Sequence, residues 1–212
     1  AFVEAMIVRE RDRLFAVPIE KVFEVFQVER EQVTHDASDG VSLVLHDEDL
    51  SRTAHGSGLL RQMKAAELPP LKNGEAVPRL ADVLELPARL INVELKGEPG
   101  WQQALATVEA AEALDRVLFS SFEHSEVLQL WAACENARCG FLWEADEALD
   151  LTAEELADLP GALWFHPPLK AVKARPELWA PYAHRLALWD MKTPAEAGGL
   201  PFIPAVLIVD GI

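Results

Sequence analysis

A histidine, a carboxylate and an amine able to work together on a phosphorus centre stand at two strand ends of this chain. The first end is His46-Asp47-Glu48-Asp49-Leu50-Ser51-Arg52-Thr53-Ala54-His55-Gly56-Ser57-Gly58, directly after the apolar run 41–45. The second is Ile91-Asn92-Val93-Glu94-Leu95-Lys96-Gly97, an apolar run that finishes in a carboxylate and an ammonium. An imidazole exchanges a proton near neutral pH, a glutamate can hold a divalent cation, and a lysine can offset phosphate charge. Together these are the parts of metal-assisted phosphodiester hydrolysis. Strand period two puts Glu94 and Lys96 on one face, where a pure core would place apolar side chains. They form either a functional pair or an ion pair capping the sheet.

The elements that must position them follow from periodicity. From about residue 76 helical and strand patterns alternate with short connections. Strands are predicted at 90–96, 117–122, 139–143, 162–165, 186–189 and 205–209, and helices at 77–86, 101–114, 125–135, 152–159 and 171–184. Thr152-Ala153-Glu154-Glu155 has the form of a capping box. Repeated strand–helix units imply a parallel sheet. Residues 6–9 and a strand near 27–34 would complete eight strands, closing a TIM-type (β/α)8 barrel. Asp39-Gly40 predicts a β-hairpin rising from the second barrel strand and returning His46 to the mouth. The 212 residues are read as a single domain, 1–212.

Nineteen basic against thirty-five acidic residues give a formal charge of −16. That field repels nucleic acid and anionic membrane surfaces, so neither is an expected partner, and an anionic substrate needs a local cation. Cys134 and Cys139 have neither disulfide-framework nor zinc-site spacing and are expected to be reduced thiols. No segment has the length of a membrane span, and residues 1–20 carry charges where a leader would be apolar, which makes the expected location cytoplasmic.

His46-Asp47, Leu50, Arg52-Thr53 and Gly56-Ser57-Gly58, followed by Asn92-Val93-Glu94-Leu95-Lys96, resemble the glycerophosphodiester phosphodiesterase family over residues 39–212. The family's counterparts are His-Asp…Leu-x-Arg-Thr…Gly-x-Gly and Asn-x-Glu-Leu-Lys; residues 117–122 and Trp189 also resemble its later strands. The resemblance implies cleavage of glycerophosphodiesters to glycerol 3-phosphate and an alcohol, with a bound divalent cation, magnesium or calcium. It makes His46 a catalytic histidine, Glu94 a metal ligand and Lys96 a phosphate partner. Trp189 and His166, at later strand ends, are candidates to line the substrate pocket, although core packing accounts equally for Trp189.

The front departs from the family. Where His-Arg-Gly is expected, the chain has Ile7-Val8-Arg9, and at the helix start Pro18-Ile19-Glu20-Lys21 keeps only the proline. For the Glu-x-Asp of strand two, one register puts Glu31 and Val33 in those places, and a longer hairpin puts Glu29 and Glu31 there. The second keeps two carboxylates on one face as metal ligands. His35 is either a surface group of the hairpin or a substitute for the absent histidine; His55, His124 and His184 are expected in a loop, at a helix start and at a helix end. Residues 6–35 also resemble the opening strands of the chemotaxis coupling-protein fold, through Leu14-Phe15-Ala16-Val17-Pro18 and the valines after it. Three functions follow: a phosphodiesterase with activity lowered by the missing histidine, an inactive barrel that binds metal or phosphate, or an interaction protein docking through Phe15 and Val22.

Overall fold

The computed structural model describes residues 5–10, 13–18, 32–96 and 100–209, the first two segments and residues 32–33 as backbone strands. Strands β3 (Gln32–Asp36), β5 (Ile91–Leu95), β6 (Val117–Ser121), β7 (Arg138–Leu142) and β8 (Trp164–His166) pair parallel in that order. Strand β4 (Ser42–Val44) flanks β3 antiparallel. Parallel bridges from Phe165 to Leu186 and from Pro168 to Trp189 carry the order on to β9 (Ala187–Leu188), which pairs parallel with β10 (Val206–Leu207). This is the succession of barrel strands expected from the sequence. Among the described residues no pairing joins β10 back to β3.

Each parallel strand is covered on both faces, which explains its continuous apolar run. On β5 all five residues are buried: Ile91, Val93 and Leu95 join the main core, while Asn92 and Glu94 alternate with them on the opposite face. That opposite face is filled lower down by Leu90, Leu118, Ala187, Val206 and Ile208, as in the packed interior of a barrel. The main core lies between sheet and helices. Helix α2 (Gly100–Ala110) contributes Ala104, Leu105 and Val108 at helical spacing. Helix α1 (Leu80–Leu84) adds Leu80, Val83 and Leu84, and α3 (His124–Ala133) adds Val127 and Leu130.

Helix α4 (Ala145–Asp150) was not expected; it is short, and Ala148 is its one buried residue. Helix α5 (Ala153–Asp158) starts as predicted, with Thr152 Oγ1 accepting from the Glu155 backbone N–H at 3.2 Å and the Glu155 carboxylate accepting from the Thr152 N–H at 2.8 Å. The helix expected over 171–184 is instead α6 (Leu169–Ala174), α7 (Pro176–Trp179) and a 3-10 segment, Ala180–Arg185. Pro176 and Pro181 cannot donate the backbone hydrogen bonds that one continuous helix needs. Arg185 ties this segment down, donating to the carbonyls of Pro160, Gly161 and Leu163 at 3.2, 2.7 and 2.8 Å and lying 4.4 Å from the Phe165 ring centroid.

The predicted hairpin forms between β3 and β4. Gly40 takes φ +76°, which a side chain resists, and Ser42 Oγ donates to Asp36 at 2.8 Å. The front requires a correction. Residues 6–9 do form a strand, β1 (Ala5–Glu10), but it pairs antiparallel with β2 (Arg13–Pro18) in a two-stranded sheet of its own. Only two residues separate these strands, so the hairpin closes locally before a longer crossover is needed. Val22, Glu29 and Glu31 lie outside the described residues.

Both cysteines are free thiols, as expected; burial pushes the Cys139 thiol up to about 12. No helix among the described residues is long and apolar enough to cross a membrane.

Candidate active site

Strand β5 supplies the floor. Glu94 is 2% exposed and Lys96 is half-buried, with 3.4 Å between Lys96 Nζ and Glu94 Oε1. Below Glu94 on the same face, Asn92 Nδ2 donates to Ser120 Oγ at 3.1 Å. Thr34 of β3 donates its hydroxyl to the Glu94 carbonyl at 3.1 Å and fastens the two strands beside the carboxylate. A buried carboxylate next to an ammonium at a strand's C-terminal end is what a barrel mouth displays to a ligand.

The loop after β4 supplies the rim. His46 is exposed, and its Nδ1 faces Asp47 Oδ1 at 2.6 Å. Arg52 Nε donates to the other Asp47 oxygen. The Arg52 hydrogen bond first, and the His46 contact second, hold the Asp47 carboxyl well below the usual carboxylate range. Asp47 therefore stays ionised and fixes both the direction and the tautomer of the imidazole. Leu50, wholly buried, anchors this loop, and its N–H donates to the Gly58 carbonyl at 3.0 Å. Gly58 adopts φ +127°, which accounts for the glycine.

His35 links rim and floor, and here the surface reading is corrected. It is 7% exposed, and its ring hydrogen-bonds to the His46 backbone within the fields of Glu48, Lys96 and His46. Burial is the main cause that pushes its pKa down. The signal was present in the sequence: with Glu94 in register beside residue 33, period two sets residue 35 level with Lys96.

Trp189 lies at the mouth, half-buried, with Nε1 donating to the His166 carbonyl at 2.9 Å and its ring edge-on to Phe122 at 5.9 Å. His166 is fully buried. An added Cβ on Gly140 would fall 2.4 Å from His166 Nε2, so the ring occupies the space a side chain would take. Burial pushes its pKa down to about 3, and it supports the interior as a neutral ring rather than meeting solvent. His55 is an exposed loop residue, His124 begins α3, and His184 falls in the last 3-10 turn, all as expected.

Among the described residues no three histidine, cysteine or acidic side chains cluster closely enough to hold a metal ion. Of the expected ligands only Glu94 is among them, since Glu29 and Glu31 fall outside. A single carboxylate gives one or two of the six or more oxygens that magnesium or calcium requires.

Comparison with known proteins matches residues 34–185 to the model of the glycerophosphoryl diester phosphodiesterase family. A curated glycerophosphodiester phosphodiesterase of Bacillus altitudinis is 32% identical over 129 residues, covering 46% of this chain and 51% of that protein. The chain thus spans about half the length of the curated relatives it matches. The crystal structure of a glycerophosphodiester phosphodiesterase from Parabacteroides distasonis superposes with a TM-score of 0.69 at 19% identity, over 85% of this chain and 78% of that one. An Oleispira antarctica phosphodiesterase, solved with the product sn-glycerol-3-phosphate, gives a TM-score of 0.66 at 22% identity, over 84% and 79%. These structures share the fold, a TIM-type barrel, and the matched segment runs from within β3 through β8 and holds both His46 and Glu94. On that match, the chain belongs to the glycerophosphoryl diester phosphodiesterase family.

Proposed function

We propose that the protein hydrolyses glycerophosphodiesters to glycerol 3-phosphate and an alcohol. What supports this reading is an oriented histidine in the loop after β4 together with a buried Glu94 beside Lys96 at the end of β5. Lys96, half-buried, offers its ammonium to a phosphodiester oxygen in a protein whose overall charge repels anions. His46, open to solvent and held through Nδ1 by Asp47, gives a proton to the departing alkoxide. Asp47 orients the imidazole, and Arg52 keeps Asp47 ionised. Trp189 presents a half-buried ring at the mouth on which the glycerol moiety can pack.

Glu94, joined by Glu29 or Glu31, would hold a divalent cation, magnesium or calcium. Bound there, the cation would supply positive charge to the phosphate in the transition state. The oxygen donors are of the type such a hard ion takes.

The test is release of glycerol 3-phosphate from glycerophosphocholine while magnesium and then calcium are titrated. Turnover that rises with either cation and stops with chelator supports the reading. Cation binding with no turnover would make the chain a binding-only member of its family, and neither binding nor turnover would remove the phosphodiesterase reading altogether.

A further inference from the structure

His46 stands at the exposed end of a short relay: its Nδ1 faces Asp47 Oδ1 at 2.6 Å, and Arg52 Nε holds the other Asp47 oxygen. Such a relay keeps its direction only if the backbone under Arg52 is itself fixed. We propose that Lys72, on a strap of residues 69–75 running past this loop, is a positioning residue. Its ammonium fixes the turn under Arg52 and, through Arg52 and Asp47, aims the His46 imidazole. The proposal rests on the phosphodiesterase reading for the role of His46 and adds a residue outside both motif segments.

Three observations support the assignment. Residues 50–54 form one helical turn, in which the Leu50 carbonyl accepts from the Thr53 and Ala54 N–H groups at 3.2 and 2.8 Å. The next three carbonyls have no donor within the turn. Lys72 answers all three: Nζ donates to the Arg52 and Ser51 carbonyls at 2.6 and 3.3 Å, and its backbone N–H to Thr53 at 2.9 Å. A cation suits the carbonyl end of a helical turn.

Second, the strap is built against the motif loop. Leu71 bridges antiparallel to Ala54, and the His55 N–H donates to the Pro70 carbonyl at 2.9 Å. Gly74, at φ +86°, closes the turn that carries Lys72, its N–H donating to the Leu71 carbonyl at 2.8 Å. A Cβ on Gly56 would fall 2.8 Å from Pro69 Cγ, so the glycine of the motif admits the strap. These backbone bonds hold residues 53–55. Among the described residues only Nζ reaches the carbonyls of 51 and 52, where the Arg52 side chain stands.

Third, Lys72 is exposed in a protein of net charge −16, yet among the described residues its ammonium pairs with no carboxylate. Folding a long side chain back onto two backbone oxygens gives up rotamer freedom that a solvated lysine keeps.

The test compares wild type, Lys72→Met, Lys72→Arg, Arg52→Ala and Lys72→Met/Arg52→Ala in cation-dependent hydrolysis of glycerophosphocholine. Ring 15N signals of His46 are read alongside. Methionine keeps the apolar stem without the donors, and arginine restores them. The expected result is kcat lower by about 10-fold in Lys72→Met, with KM and thermal midpoint close to wild type, and most of the loss recovered in Lys72→Arg. Because the effect passes through Arg52, adding Lys72→Met to Arg52→Ala should lower kcat no further. At about pH 9, where imidazoles are neutral, His46 should show one ring tautomer in wild type and a mixture of two in Lys72→Met. Wild-type kcat in Lys72→Met, additive losses in the double variant, or an unchanged tautomer would overturn the proposal and leave the phosphodiesterase reading standing. An inert wild-type protein would overturn that reading and the proposal with it.

Discussion

On β5, Glu94 is 2% exposed and locked between neighbouring strands, whereas the His46 side chain, in the loop after β4, is 56% exposed. The floor holds charge where burial is costly, so its residues must be matched to a ligand or a partner. The rim holds a group that must exchange protons with solvent, so exposure suits it. Floor residues should thus affect both stability and ligand binding, and rim residues chemistry alone.

The largest expected effect tests the floor. Glu94→Ala should lower hydrolysis by more than about 1000-fold, by losing a cation ligand as well as the placement of Lys96. Its stability cost should be only about 1–3 kcal/mol, because the half-buried Lys96 can swing its ammonium to water. Urea melts alongside the assay separate the two effects. Next comes the rim: His46→Ala should lower kcat by about 100- to 10,000-fold, with stability changed by less than about 0.5 kcal/mol. A large loss of stability here would erase the distinction between the regions.

Beneath both regions, Gly140→Ala should destabilise by about 1–3 kcal/mol through overpacking, since the new Cβ meets His166 Nε2 at 2.4 Å. Shrinking the ring in Gly140→Ala/His166→Ala should relieve that clash. His166 also sets a pH dependence. Its folded pKa, about 3, lies below the ordinary 6.5, so the unfolded chain binds the proton more readily between those values. Its burial therefore costs nothing above pH 6.5, and stability falls as pH drops from there toward 3. His166→Asn should flatten that slope in thermal melts. The smallest effect lies far from the site: Thr152→Ala should cost about 1 kcal/mol by removing the α5 cap, with kcat unchanged.

The parallel strands were legible because each is buried on both faces and gives an apolar run ending in a polar residue, as at Glu94 and Lys96. The Asp39-Gly40 turn was legible because Gly40 takes a backbone angle that favours glycine. His46 and Glu94 were found by motif; the first follows β4 and the second lies near the end of β5. His35 itself was misplaced because a histidine in a hairpin looks like a surface residue unless the β3–β5 register is known. The partnering of β1 with β2 was illegible for a similar reason. An apolar strand pattern states what can be buried and not against which neighbour. The break between α6 and α7 was readable in Pro176, but the apolar spacing across it outweighed the proline.

The most direct test of the division between floor and rim is titration calorimetry of magnesium and calcium into the wild-type protein, Glu94→Ala and His46→Ala. The account predicts that wild type and His46→Ala bind the same cation with similar affinity, and that Glu94→Ala does not bind it. Wild-type affinity in Glu94→Ala, or loss of binding in His46→Ala, would contradict it.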